Sequence, residues 1–156
     1  MKTLNPEHVK MMETIISSAP FMSLLGMQVT KLDFGVCRLE VELEQKHLHA
    51  YGSIHGGVYA SIIDTAAYWA CYCQMPEDLG YLSADLNVSN LGALITGRLF
   101  VEGKALKIGR TVCLAEATVK DAGGKLLAHG ASKKPGSYTP LTPPTERIGE
   151  DAVVAV

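Results

Sequence analysis

His55, Gly56 and Gly57 stand directly before an apolar run, Val58 to Cys73, that contains one carboxylate, Asp64. These residue types at this spacing could carry out acyl transfer. The first amides of a helix lack partners inside it and lie at the positive end of its dipole, so a helix opening at Gly56-Gly57 offers N–H donors to a polarised carbonyl. Glycine also lets a substrate come close to that backbone. A thioester or ester carbonyl held there would gain negative charge in the transition state, and pre-oriented amides stabilise that charge without reorganising. The complementary group is a carboxylate acting as nucleophile or general base. An unpaired carboxylate in apolar surroundings costs on the order of several kcal/mol, so Asp64 must have a partner, face an accessible surface, or be kept for chemistry.

Asp64 follows Gly57 by seven residues, which is two helical turns, the same face, and a rise of roughly 10 Å. Reacting groups must come within about 3 to 3.5 Å of the atoms they act on, so these two cannot serve one carbonyl from a single helix. Two antiparallel copies could. With the helices side by side in a two-fold dimer, Asp64 of one copy would face the glycine end of the other and form two equivalent sites. For such chemistry the spacing predicts an obligate dimer.

The elements that must position these groups follow from periodicity. Pro6, followed by Val9, Met12, Ile15 and Ile16 at helical spacing, predicts an N-terminal helix closed by Pro20. From Met27 to Leu43 the pattern alternates, which predicts two strands joined by a tight turn at Asp33-Phe34-Gly35. The central helix runs from Gly56 to about Gln74 and ends at Met75-Pro76. It is apolar on nearly every face and is expected to be wrapped. Strand-like stretches follow at Tyr81 to Leu91, Arg98 to Lys107, Thr111 to Lys120 and Lys125 to Lys133. Turn signals stand at Gly92, Gly97, Gly109 and, as a hairpin, Asp121-Ala122-Gly123-Gly124. The layout is α+β, with a curved antiparallel sheet wrapped around a long central apolar helix. A single domain is expected over residues 1–134. Residues 135–156, with Pro135, Pro140, Pro143 and Pro144, read as a mobile tail.

The 156 residues, 47% of them apolar, suffice for one core, and a net charge of −2 with interspersed signs argues against nucleic-acid or anionic-membrane binding. No stretch reaches the roughly 20 apolar residues of a membrane span, and the N-terminus lacks a signal core. The expected location is the cytoplasm. Cys37, Cys71, Cys73 and Cys113 read as small buried hydrophobes rather than zinc ligands. His47, His49 and His55 fit no helical ligand pair, so no metal is expected. Lys104, Lys107, Arg110, Lys133 and Lys134 fall near strand ends or turns, where they could meet phosphates, although isolated surface lysines rarely bind anything specifically.

The stretch from His55 to Thr65, reading His-Gly-Gly-Val-Tyr-Ala-Ser-Ile-Ile-Asp-Thr, resembles the signature of the phenylacetic-acid-type (PaaI-like) hotdog-fold acyl-CoA thioesterases. The Tyr81-Leu82-Ser83-Ala84-Asp85-Leu86-Asn87 stretch and the segment from Lys107-Ile108-Gly109-Arg110 to Lys134 resemble that family too, so the likeness spans about residues 20 to 134. It implies a hotdog fold and hydrolysis of an acyl-CoA to free acid and CoA, without metal or redox cofactor. The Gly57 amide would polarise the carbonyl, and Asp64 of the partner chain would be nucleophile or general base. His55 would support the loop or the thioester. Gly56, Ser61, Tyr68, Ser83 and, on the phosphates, Arg110 would contact substrate, with Ser83 orienting water or substrate. Six residues before His55, where the family often has Asn or Gln to position water, this chain has His49. Homodimers, or dimers of dimers, are implied.

Three alternatives remain at this stage. Asp64 could be satisfied structurally by the hydroxyls of Thr65 or Tyr68 or by a partner-chain amide. The protein could bind acyl-CoA without turnover. It could also be a hotdog hydratase or dehydratase, which product analysis would separate because hydration releases no thiol.

Overall fold

The computed structural model describes residues 4–72, 74 and 80–138. Asn5 caps the first helix, α1 (Pro6–Ser18), its side chain accepting the Glu7 N–H at 3.0 Å. Pro20 closes α1 as expected and also opens a short second helix, α2 (Pro20–Leu24), because proline is suited to a first helical position. Strands β1 (Met27–Asp33) and β2 (Val36–Glu42) form the hairpin anticipated around Gly35, whose φ of 72° is the left-handed conformation that a tight turn needs. After a 3-10 turn at Gln45–His47 comes the central helix α3 (Gly56–Tyr72). Then follow β3 (Gly80–Tyr81), β4 (Asp85–Asn90), β5 (Arg98–Ile108), β6 (Val112–Lys120) and β7 (Leu126–Tyr138).

The antiparallel sheet runs β1-β2-β5-β6-β7-β4, with the two-residue β3 also pairing with β7. This is the hotdog arrangement. Helix α3 lies against β5, β6, β7 and β2, and Val58, Tyr59, Ile62, Ile63 and Ala66 pack with Leu39, Val41, Leu99, Val101, Val119 and Leu127 in the main core. Contact is closest at Gly103 in β5, where any Cβ would collide with the Ala66 carbonyl of α3. Cys37, Cys71 and Cys113 are buried, and burial pushes the Cys71 thiol up to about 12. Cys73 lies outside the described residues.

Two expectations about strands need correction. The stretch from Tyr81 to Leu91 is not one strand, since residues 82–84 leave the ladder between β3 and β4. The last strand does not end at Lys133, and the domain boundary drawn at 134 falls inside it. Pro135 sits opposite Val112 and the pairing continues past it, so β7 reaches Tyr138. The remainder of the tail, from 139 onward, lies outside the described residues.

The two edges of the sheet differ. Along β1, α1 supplies acceptors to outward amides: Ser17 Oγ takes the Val29 N–H at 2.9 Å and Glu13 Oε1 takes the Leu32 N–H at 3.1 Å. The outer edge of β4 has no such cover among the described residues, and Leu82, Leu86 and Leu91, on or flanking it, are exposed. Bare edges of this kind are templates for further strand pairing.

Candidate active site

Helix α3 is not wrapped on every side. Val58, Tyr59, Ile62, Ile63, Thr65, Ala66, Ala67, Ala70 and Cys71 are buried, whereas Gly57, Ser61, Asp64 and Tyr68 form a stripe that keeps solvent access. Steps of four, three and four residues keep that stripe on one face. The candidate groups therefore share one open surface.

At the glycine end, the Gly57 N–H donates to Nδ1 of its neighbour His55 at 2.8 Å, and the His55 carbonyl accepts the Val58 N–H at 2.9 Å. His55 thus caps α3, with Nδ1 as acceptor and the ring proton on Nε2. The amide expected to polarise a carbonyl is engaged by an exposed side chain that can rotate away. Gly56 is tightly covered, since a Cβ there would stand 2.7 Å from the Asn90 side-chain nitrogen. The Ser61 hydroxyl donates back to the Gly57 carbonyl at 2.8 Å, as hydroxyls in helices commonly do.

The other two histidines serve separate local purposes. His47 is buried, accepting the Glu44 N–H at 2.9 Å on Nδ1 and donating from Nε2 to the Leu25 carbonyl at 3.0 Å. His49 accepts the Tyr51 N–H at 3.0 Å and bonds Ser53 Oγ at 2.7 Å, which ties both of its nitrogens into the 49–53 loop.

At the acid end the partners of Asp64 are neither Thr65 nor Tyr68. Thr65 donates to the Ser61 carbonyl. Asp64 Oδ1 instead accepts from Ser83 Oγ at 2.7 Å and from Lys134 Nζ at 2.9 Å. Lys134 also donates to Ser83 Oγ at 2.6 Å and Ser132 Oγ at 3.1 Å, and its ammonium lies 5.4 Å from the Tyr68 ring centroid. Burial, then the neighbouring Tyr72, Cys71 and Asp64, push the Tyr68 phenol up. The Lys134 side chain is wholly buried while Asp64 is 37% exposed, so the cation supports the carboxylate from behind. Ser83 is placed by the start of β4: the Ala84 N–H bonds the Lys133 carbonyl at 3.0 Å, and the Asp85 carboxylate accepts the Lys133 N–H at 2.8 Å. That backbone bond, chiefly, holds the Asp85 carboxyl below its ordinary range.

Lys134 therefore does not belong with the surface lysines. Lys104 pairs with Glu102 at 3.4 Å and Lys133 with Asp85 at 3.3 Å, while Arg110 is exposed near the β5–β6 turn and forms no ion pair among the described residues. The signal for Lys134 was present in the sequence. Period-two alternation from Ala128 through Gly130 and Ser132 carries Lys134 to the buried face, where a Cβ on Gly130 would touch Ile63 of α3. Ending the strand at Lys133, five residues early, hid it.

Residues 51–128, half of the chain, match the thioesterase superfamily. The chain belongs to that superfamily. The match takes in His55, Gly57, Asp64 and Ser83 and stops short of Lys134. Among other members, human acyl-coenzyme A thioesterase 13 is 27% identical over 135 residues, 85% of this chain and 86% of that one. The solved structure of zebra fish thioesterase superfamily member 2 is 26% identical with a TM-score of 0.74, covering 85% of this chain and 99% of its own. A thioesterase from Haemophilus influenzae, 16% identical with a TM-score of 0.77 over 88% of this chain and 94% of that one, shares the fold. No helix among the described residues of this superfamily member is long and apolar enough to cross a membrane.

Proposed function

We propose that the protein hydrolyses acyl-CoA thioesters to free acid and CoA, at sites formed between two copies of the chain. The observation that carries this reading is the state of Asp64. One oxygen is held by Ser83 and Lys134, and the other accepts no bond among the described residues and lies on the stripe that includes Gly57. The separation of about 10 Å along the helix excludes one chain from using both groups on one carbonyl. A second copy, antiparallel across the open stripe and the bare β4 edge, would bring Asp64 of one to Gly57 of the other.

In such a site the Gly57 amide, released by His55, would donate to the thioester oxygen as it gains charge. Asp64 could take a proton from water as the water oxygen attacks the carbonyl carbon; the C–S bond then breaks and the proton passes to the CoA thiolate. Alternatively Oδ2 attacks and CoA leaves as its thiolate, and a water then cleaves the mixed anhydride, regenerating the Asp64 carboxylate as its proton passes to the thiolate. Neither route requires a cofactor beyond the CoA of the substrate. Tyr68, one turn beyond Asp64, would border the acyl group.

The test is thiol release from short, medium, long and aromatic acyl-CoAs. Asp64→Asn should lower kcat by about 10² to 10⁴. That variant leaves the Lys134 ammonium buried without a countercharge, so its stability should fall as well. Asp64→Asn/Lys134→Met should recover the thermal midpoint but not the activity, which separates lost chemistry from lost fold. Sedimentation should give a dimer or a multiple of it. Full activity in folded Asp64→Asn, or an active monomer, would sink the proposal. Acyl-CoA binding without thiol release would select the non-catalytic reading, which the occupied Gly57 amide favours.

A further inference from the structure

We infer that Lys134 is a positioning residue for hydrolysis: its buried ammonium sets the direction of the Ser83 hydroxyl proton, so that Ser83 and Asp64 both present acceptors to one water. The inference rests on the reading of Asp64 as the group that acts on a thioester.

A lysine ammonium has three donors and no acceptor, and all three are used here, on Asp64 Oδ1, Ser83 Oγ and Ser132 Oγ. With no exposed surface and no donor left, Lys134 cannot itself touch substrate. Its influence must pass through the groups it binds. Ser83 Oγ receives a proton from Nζ, so its own proton is directed to Asp64 Oδ1, 2.7 Å away. Ser132 is fixed in the same sense, donating to the Asp85 carbonyl at 2.7 Å and accepting from Lys134. Every proton in this chain thus has one assigned direction.

A hydroxyl has one donor and two acceptor sites, so Ser83 retains one lone pair, and Ser83 is exposed. Asp64 retains Oδ2. A water that donates one proton to Oδ2 and the other to Ser83 Oγ has its lone pairs turned away from both, toward the place where the partner chain's Gly57 would hold the carbonyl. Without Lys134 the hydroxyl is held only by its bond to Asp64 and can exchange that bond for one to the water, offering its proton and orienting the wrong end of the nucleophile.

A purely structural role would be to tether β7 to α3, and a double-mutant cycle between Lys134 and Ser83 distinguishes the two. Lys134→Met should lower kcat by about 30-fold with KM within about twofold. Ser83→Ala alone should lose about 10-fold, and in that background Lys134→Met should cost at least about threefold less than in the wild type. Equal losses in both backgrounds would mean a tether and overturn the inference, as would wild-type kcat in folded Lys134→Met. Where Lys134→Met does not fold, Lys134→Gln, whose amide can still donate to Ser83 Oγ, tests the same point: it should retain more of kcat than Ser83→Ala does, and a loss as large as that of Ser83→Ala in the folded variant would overturn the inference. Absence of thiol release by the wild type would instead overturn the hydrolase reading beneath it.

Discussion

The glycine end and the acid end of the candidate site are separated by two turns of one helix and are built from different distances in the chain. Around Gly57 the bonds are short in sequence: His49 to Tyr51 and Ser53, His55 to Gly57, and the His55 amide to the His47 carbonyl. Around Asp64 they span 19, 51 and 70 residues, to Ser83 and Lys134. The bonds that set the first end lie within the 47–58 segment, which is itself fastened to the fold by His47 on the Leu25 carbonyl and by the Ile54 N–H on the Leu94 carbonyl. The second exists only when β4 and β7 are in register, Asp85 opposite Lys133 and Leu86 opposite Ser132. A slip of one residue in β7 would turn Lys134 outward and leave Asp64 without its cation. The donor end can therefore be altered piecemeal, whereas the acid end reports on the whole sheet.

Gly57→Pro should break the donor end most severely. Proline removes the one N–H that matters and suits the first turn of a helix, where amides have no intrahelical acceptor. A kcat loss of about 10² to 10³ is expected, because removing a single oxyanion donor has effects of that size, with a fall in thermal midpoint of only a few degrees from the lost cap bond to His55. A fall in the midpoint as large as the one expected for Asp64→Asn would contradict the contrast between the two ends. His55→Ala should act on stability more than on rate. It removes the cap acceptor at about 1 kcal/mol, a few degrees in thermal unfolding, and leaves the Gly57 amide free for substrate.

That contrast also governs what could be read from the sequence. The His-Gly-Gly opening, the apolar helix and its single carboxylate are local, and α3, the β1–β2 hairpin and the β6–β7 hairpin fall where periodicity and turn residues put them. The partners of Asp64 are not local. Nothing near Asp64 in sequence points to Lys134; the link is the alternation of β7 combined with its register against α3 and β4. Pro135 concealed it further, because proline is ordinarily a strand terminator and here is not. The open stripe on α3 was hidden for a similar reason, since a helix apolar on nearly every face gives no sign of which side the sheet leaves uncovered.

The smallest expected effect concerns His49, the position at which the family often has Asn or Gln. Its two nitrogens are used within the loop, on the Tyr51 amide and the Ser53 hydroxyl. In His49→Asn the side-chain oxygen can still accept the Tyr51 N–H in an Asx-type turn, so only the bond to Ser53 is lost. The loop is partly solvated, and the loss should be about 0.5 kcal/mol, with kcat changed by less than about threefold. A larger change in rate at constant stability, in either direction, would put residue 49 within reach of the reacting water once two chains meet. The glycine end would then supply part of the water site that the Asp64–Ser83–Lys134 cluster is here assigned alone, and the division between a local donor end and a long-range acid end would have to be redrawn.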